Sequence, residues 1–139
     1  MIVLIGQADP PTLWGVIFAM KRQISRAELK DTVRALIGSG NATLPAVAAR
    51  LQTSPRSLQR QLEGWEVTYS ELVDEVRHEI AQSLLAATEL DIAEVGAALG
   101  YRDPSSFSRA FFRWSRMSPR AYRKTRQRRD RDPAVDPTP

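Results

Sequence analysis

Apolar side chains along this chain recur at the three- and four-residue spacing of helices, and no stretch alternates at period two for long enough to predict a strand. Seven positions carry a residue suited to cap a helix, followed by proline or by an acid in the first turn. These predicted caps are Ser25, Thr43, Ser54, Thr68, Asp91, Asp103 and Ser118. The sequence therefore predicts seven helices and an all-α fold. Their expected ranges are 26–38, 44–51, 55–64, 69–88, 92–99, 104–114 and 119–128.

One arrangement of apolar and polar residues occurs twice between residues 44 and 122. In each copy a short apolar helix is followed by a tight turn, a cap with proline, and a second helix that carries arginine on its outer side. The copies are offset by 48 residues up to Leu51 and Leu99, and by 49 residues afterwards. Small residues also match, Ala48 with Gly96, and they predict close approach of the paired helices. Each copy is predicted to be a helix-turn-helix, and two copies in register are a stronger signal than one.

The predicted fourth helix, 69–88, lies between the two copies. Its apolar residues form one stripe at helical spacing, and its carboxylates are expected on the remaining surface. The stripe consists of Tyr69, Leu72, Val73, Val76, Ile80 and Leu84. About 20 residues make a rod of roughly 30 Å. This length is close to the roughly 34 Å between successive major grooves on one side of B-DNA, so both second helices are predicted to reach one duplex.

Charge is strongly segregated along the 139 residues, although the net charge is only +4. Residues 63–94 hold nine carboxylates against the single Arg77, and residues 102–131 hold eleven basic side chains against two carboxylates. This distribution fits a polyanion partner docked on one face, and it fits a solvated surface with a basic tail equally well. The chain has no cysteine, which excludes disulfides and thiol metal sites and fits a cytoplasmic location. Its longest apolar run is about half of what a membrane span needs, so no membrane association is expected.

Few residues suit catalysis. His78, the only histidine, lies on the predicted fourth helix among carboxylates, and it is interpreted as a surface side chain. A second histidine, a phosphate-binding glycine loop and a metal-ligand cluster are all missing from the sequence. The prediction is therefore that the protein is not an enzyme and holds no cofactor or metal.

Three segments carry a family resemblance. Residues 92–101 (IAEVGAALGY), 105–111 (SSFSRAF) and 118–123 (SPRAYR) resemble the signature of the AraC/XylS family of bacterial transcription regulators. Residues 54–62 (SPRSLQRQL) resemble that family's less regular first motif, and the likeness extends over about 26–125. The resemblance implies two helix-turn-helix subdomains joined by a linker helix, and a DNA-binding role near the bacterial nucleoid.

The resemblance also suggests how the chain is organised. The predicted DNA-binding domain is 26–129, with subdomains 26–66 and 90–129 around the linker helix 69–88. Residues 1–25 are expected to be an N-terminal stub, and 130–139 a disordered tail. Most members of the family carry a further effector-binding or dimerisation domain, for which this chain has no room, so no small-molecule effector is expected here.

The sequence departs from the family pattern at two positions. Where members usually have glycine after each second helix, this chain has Glu66 and Arg116. These two residues are therefore expected to end their helices in the left-handed conformation, at a cost on the order of 1 kcal/mol each.

A helix-turn-helix contacts bases from the outward side of its second helix. The residues predicted to contact bases are Arg56, Ser57, Gln59, Arg60, Ser105, Ser106 and Arg109. Arginine can bond guanine bidentately and glutamine can bond adenine, so the first copy is especially well equipped. The residues predicted to contact phosphates are Arg113, Arg120, Arg123 and Lys124.

The sequence is compatible with two functions. The first is a sequence-specific regulator of transcription that binds double-stranded DNA as a monomer, with RNA polymerase subunits as possible further partners. The second is a truncated regulator that binds DNA weakly and acts mainly as a protein-interaction module. The outward arginine and glutamine side chains favour the first function, whereas Glu66 and Arg116, which replace two expected glycines, leave room for the second.

Overall fold

The computed structural model describes the backbone of residues 23–131 and the side chains of 23–129. All seven predicted helices are present within this range, and it contains no strand. They are α1 (Arg26–Ile37), α2 (Leu44–Arg50), α3 (Pro55–Gly64), α4 (Tyr69–Ala87), α5 (Ile92–Ala98), α6 (Pro104–Ser115) and α7 (Pro119–Arg131). Within the described range, no helix is both long and apolar enough to cross a membrane. The segment 1–22 of the predicted stub and the segment 132–139 of the predicted tail lie outside the described residues.

Each helix begins at its predicted cap. In all seven the cap side chain accepts a hydrogen bond from the backbone N–H three residues later. At Thr68 and Asp91 the bond is reciprocal, because the side chains of Glu71 and Glu94 accept from the N–H of the cap at 2.8 and 2.9 Å. These bonds satisfy backbone donors that the first turn of a helix leaves free, so each start is fixed locally by the sequence.

The first core is aliphatic and is built by α1, α2, α3 and the first half of α4. Its buried members are Ile24, Leu29, Val33, Ile37, Val47, Ala48, Leu51, Leu58, Leu62, Leu72, Val73 and Val76. Ile24 lies two residues before the predicted start of the domain, yet it is buried. Its backbone N–H donates to the Gln61 side chain at 3.3 Å, and its carbonyl accepts from the same amide at 2.9 Å. The folded unit therefore reaches back to at least Ile24.

The second core is largely aromatic and is built by the second half of α4 with α5, α6 and α7. Its buried members are Ala81, Leu85, Val95, Leu99, Phe107 and Phe111, with Tyr101, Trp114 and Tyr122 packed around them. Ile80 packs against both cores. The single stripe predicted for α4 is therefore partly wrong, because Ala81 and Leu85, rather than Leu84, are its deepest residues in the second half. A shift of one residue is a rotation of about 100°, so the two cores lie on different sides of α4.

The carboxylates of α4 do not form the open acidic surface that the sequence suggested. Glu75 bonds Arg26 and Lys30 of α1, each at 2.9 Å. Glu79 bonds Lys30 and also Arg34, the latter at 2.8 Å. Hydrogen bonds from Lys30 and Arg26 lower the pKa of Glu75, and the same network raises the pKa of Lys30. The basic face of α1 therefore neutralises two of the four carboxylates of α4.

His78 is not the surface residue that the sequence indicated. Its ring packs against those of Phe111 and Trp114, with both centroid distances equal to 5.6 Å. Burial lowers the pKa of His78 below its ordinary 6.5, and the charge of Glu79 opposes this shift. The reason for the misinterpretation is the rotation of the buried face of α4, which turns position 78 towards α6.

Candidate nucleic-acid interface

Both helix-turn-helix turns close in the same way. After α2, Gln52 has a φ of 58° and the N–H of Thr53 donates to the Ala48 carbonyl at 2.9 Å. After α5, Gly100 has a φ of 90° and the N–H of Tyr101 donates to the Gly96 carbonyl at 3.0 Å. The duplicated sequence pattern therefore corresponds to a duplicated backbone geometry. The left-handed Gln52 was missed from sequence, although Gly100 at the matching position was a signal for it.

Each of the two second helices is followed by a residue with a positive φ. Glu66 has a φ of 55° and Arg116 a φ of 62°, so both occupy the left-handed conformation expected where the family has glycine. After Glu66 the N–H of Val67 returns to the Leu62 carbonyl at 3.1 Å, whereas Arg116 itself donates to the Phe112 carbonyl at 2.7 Å. This part of the sequence prediction is confirmed.

The first and second helices of each pair meet at a small residue. A Cβ added to Gly96 would lie 2.9 Å from the Cβ of Phe107, which is closer than real side chains approach. At the matching position of the first copy, Ala48 is fully buried in the core that contains Leu58, the counterpart of Phe107. The second copy thus needs glycine because its two helices approach so closely that even the Cβ of Phe107, an atom that leucine also has, leaves no room for a side chain.

Helix α3 turns one polar face to solvent. Leu58 and Leu62 are fully buried, and Arg56, Gln59 and Arg60 are exposed at spacings that put them on one side of the helix. Ser57 is less available than predicted, because its hydroxyl accepts from the Ser54 hydroxyl at 3.0 Å and the residue is half-buried. Three of the four residues predicted to contact bases in this copy therefore project freely.

Helix α6 presents a less charged face. Ser105 and Arg109 are exposed, whereas the Ser106 hydroxyl donates to the cap carboxylate of Asp103 at 3.0 Å. The backbone hydrogen bond from Ser106 lowers the pKa of Asp103, so this cap stays ionised. Phe112 is 52% exposed and was missed from sequence, because an aromatic residue in an apolar helix is ordinarily assigned to the core.

The residues predicted to contact phosphates are of two kinds. Arg120 and Lys124 are exposed on α7, where they flank a groove beside the start of α5. Arg123 has an intramolecular task that the sequence did not indicate, because its Nε donates to the Leu85 carbonyl at 3.0 Å. That carbonyl belongs to the last turn of α4, which has no partner within the helix, so Arg123 caps α4 and ties α7 to it.

Arg113 also contacts the linker helix. Its Nη2 lies 3.9 Å from Oδ2 of Asp74, at the outer limit of an ion pair, and its side chain is mostly exposed. A contact this long and this exposed contributes little to stability, so Arg113 can leave it for another anion. Among the described residues no group of acidic and histidine side chains could hold a metal ion. The chemistry offered here is hydrogen bonding and charge pairing with a polyanion.

Comparison with known sequences agrees with this geometry. The profile of a helix-turn-helix domain family matches residues 47–125, which is more than half of the chain. A curated relative, the ornithine utilization regulator of Pseudomonas aeruginosa, is 40% identical over 81 residues. The match covers 58% of this chain but only 24% of the regulator, so the chain spans about a quarter of that relative's length. The HTH-type transcriptional regulator VirS of Mycobacterium tuberculosis is 32% identical over 125 residues, covering 86% of this chain and 37% of VirS, and a likeness to such regulators points away from catalysis.

Solved structures give the same result. A transcriptional regulator with an AraC-type DNA-binding domain, from Chromobacterium violaceum, superposes with a TM-score of 0.66 at 25% identity, covering 72% of this chain and 89% of that one. The DNA-binding domain of AdpA, solved in complex with a target DNA, has a TM-score of 0.60 at 26% identity. That match covers 80% of this chain and 98% of the AdpA domain.

Proposed function

The chain belongs to the AraC-type helix-turn-helix family, and from that premise we propose that it regulates transcription by binding specific double-stranded DNA sites. Helices α3 and α6 enter successive major grooves on one side of the duplex. The observation that carries the proposal is the duplicated geometry, in which each second helix has a buried apolar face and an outward face that bears arginine.

The outward residues differ in what they suit. Arg56, Gln59 and Arg60 of α3 are exposed together, and they supply both bidentate donors for guanine and an amide for adenine. In α6 the equivalent roles fall to Arg109 and, at closer range, Ser105. The hydroxyl groups of Ser57 and Ser106 bond to the cap side chains of Ser54 and Asp103, so these serines contact DNA at most as secondary groups. The two half-sites should therefore have different sequences.

The spacing of the two helices is set by α4 and by a direct contact between the halves. The 19 residues of α4 span about 28 Å, which approaches the roughly 34 Å repeat of the major groove. The end of α1 also lies against the end of α5, since a Cβ on Gly100 would be 3.6 Å from the Ile37 carbonyl. A fixed spacing favours half-sites about 10 bp apart on a continuous duplex.

The exposed Arg120 and Lys124 of α7 act as phosphate contacts in this proposal, with Arg113 as a secondary contributor and Arg123 contributing least, because its Nε donates to Leu85 and its Nη2 is buried. Phosphate contacts supply affinity and orientation rather than sequence preference. The module comprises the predicted domain 26–129 together with the buried Ile24 before it. It acts on DNA in the bacterial cytoplasm and has subunits of RNA polymerase as its further partners. AdpA's complex with DNA supports this proposal over a pure protein-interaction module.

Selection from a pool of random duplexes tests the proposal. The full chain should enrich an asymmetric motif with two half-sites about 10 bp apart. Inserting five base pairs between the half-sites turns one of them to the opposite face and should reduce affinity to that of a single half-site. If no motif is enriched, the proposed function is wrong.

The phosphate contacts have their own test. Lys124→Ala should weaken binding to selected and random duplexes alike and lower the salt slope by about one unit. Lys124 is preferable to Arg123 for this purpose, because Arg123→Ala would also remove the cap of α4. A loss confined to the selected duplex would contradict the phosphate role.

A further inference from the structure

Phe112 is the one large apolar side chain that stands exposed within the described residues, at 52%. The buried apolar face of α6 is defined by its neighbours that pack in the second core, which are Phe107, Phe111 and Trp114. Phe112 follows Phe111 and is therefore rotated about 100° away from that core. A single exposed apolar residue needs no explanation on most surfaces, so its position on the helix decides its meaning.

That position is the proposed DNA-facing side of α6. Phe112 lies three residues after Arg109 and seven after Ser105, which are the spacings that place helical residues in one row. Its Cα is therefore about 4.5 Å further along the helix axis than that of Arg109. The exposed Arg109 and Arg116 lie three residues before it and four after it, so this part of the surface carries positive charge that suits a polyanion.

The first copy has no such group. At the matching position α3 carries Glu63, which is exposed and would be repelled by phosphate. Position 63 therefore cannot make the same contact, and the difference is specific to α6.

We infer that Phe112 packs against the 5-methyl group of a thymine in the major groove, beside the base that Arg109 contacts. This inference rests on the proposed function. The thymine methyl is the apolar feature of the major groove, and a phenyl ring is one of the groups that contact it. Phe112 thereby adds a preference for thymine at one position of the α6 half-site, where the hydrogen-bonding side chains of α6 are few.

Replacement of thymine by deoxyuridine tests the inference, because it removes the methyl group and leaves base pairing intact. Each thymine of the selected α6 half-site is replaced singly, and the Kd of the full chain is measured by fluorescence anisotropy. One replacement should weaken binding about 3- to 5-fold, the loss expected for one methyl group taken from an apolar contact. Phe112→Ala should bind the thymine duplex more weakly than the unaltered chain does, and its Kd should not change when that thymine is replaced.

Two variants serve as controls. Phe112→Leu keeps an apolar side chain and should retain part of the sensitivity to deoxyuridine. Glu63→Ala, at the matching position of α3, should leave that sensitivity unchanged. Thermal unfolding of each variant, followed by circular dichroism, separates a folding defect from a binding defect, and the deoxyuridine scan of the unaltered chain needs no variant at all.

The outcomes are distinguishable. If the chain selects a DNA motif but no thymine of the α6 half-site is sensitive, or if Phe112→Ala keeps the sensitivity, the inference is overturned and DNA binding stands. An α6 half-site without thymine overturns it in the same way. If no motif is selected from the random pool, the proposed function fails and the inference fails with it.

Discussion

The two helix-turn-helix halves have the same backbone geometry in their turns, but the side chains of their cores differ in kind. The first half has an aliphatic core, whereas the second has a cluster of rings whose centroids lie 5.5 to 6.4 Å apart. Both halves nevertheless place a left-handed residue in the turn, Gln52 in one and Gly100 in the other. The comparison teaches that the turn and the apolar spacing determine this fold, and that core composition can vary if a facing residue compensates for volume.

The halves are also attached to α4 by different interactions. In the first half, three basic side chains of α1 pair with Glu75 and Glu79. In the second, Arg123 caps the end of α4 and His78 packs against two aromatic rings of α6. Ion pairs that are partly exposed contribute about 0–1 kcal/mol each, and ring pairs contribute about 0.5–1.5 kcal/mol beyond their burial. The second half should therefore be more sensitive to changes in shape, and the first to changes in charge.

The largest effect is expected from the small residues at the helix contacts. Gly96→Ala should destabilise the protein by about 1–3 kcal/mol, because the new methyl group collides with Phe107. Ala48→Gly, the reverse change at the matching position, should cost about 1–2 kcal/mol, through added flexibility and the loss of a buried methyl group. Urea unfolding measures both values, and hydrogen exchange shows which half opens. A Gly96→Ala variant as stable as the unaltered protein would contradict the close helix contact at this position.

A smaller effect is expected at the left-handed residues. Gln52→Gly, Glu66→Gly and Arg116→Gly should each stabilise the protein by up to about 1 kcal/mol, because glycine adopts a positive φ without strain. The first half should thus gain twice and the second half once.

Gly100→Gln is the matched reverse change for the turn residue. It should destabilise by about 1–2 kcal/mol, since it places a side chain at a φ of 90°. A lower melting temperature for all three glycine variants would contradict the account of these turns.

The smallest effect is a difference in acid sensitivity. The pKa of His78 is lowered on folding, so its contribution is complete above pH 6.5 and is lost as the pH falls through the folded-state pKa. The pKa of Glu75 is also lowered, so its contribution is complete above pH 4.5 and is lost at more acidic pH. Lowering the pH from 7 to 3 should therefore destabilise the second half first. Melting curves recorded across this range measure the effect.

Two variants assign these steps. His78→Phe keeps a ring in contact with Phe111 and Trp114 and should remove the step below pH 6.5. Lys30→Met removes the partner of Glu75 and should reduce the step below pH 4.5. If His78→Phe left the upper step in place, another group would be responsible for it.

The local features of this fold could be predicted from sequence, and the long-range ones could not. Caps, helices and the left-handed Glu66 and Arg116 depend on residues within a few positions of one another, so their pattern is visible in the chain. The bond from Arg123 to Leu85 joins residues 38 positions apart, and the pair of Arg26 with Glu75 joins residues 49 apart. Such contacts depend on how far each helix is rotated, which spacing alone leaves undetermined.

The candidate interface shows the same division. The outward positions of Arg56, Gln59, Arg60 and Arg109 follow from helical spacing around buried neighbours, and the structure leaves these side chains exposed. The hydroxyl groups of Ser57 and Ser106 hydrogen-bond to the caps Ser54 and Asp103, which the sequence did not indicate, and their contact with bases stays a prediction. Phe112 was missed because its side chain type predicts the core, and only the rotation of α6 shows that it lies outside.

The central claim is that the two halves contact separate parts of one asymmetric site. The most direct test measures the Kd of the full chain, Arg60→Ala and Arg109→Ala on the selected duplex and on duplexes with either half-site scrambled. Each variant should lose about 1–3 kcal/mol on the intact site. Arg60→Ala should then lose little more when the α3 half-site is scrambled but remain fully sensitive to the other half, and Arg109→Ala should show the reverse. If both variants became insensitive to the same half-site, or if two chains bound a palindrome, the claim would be contradicted.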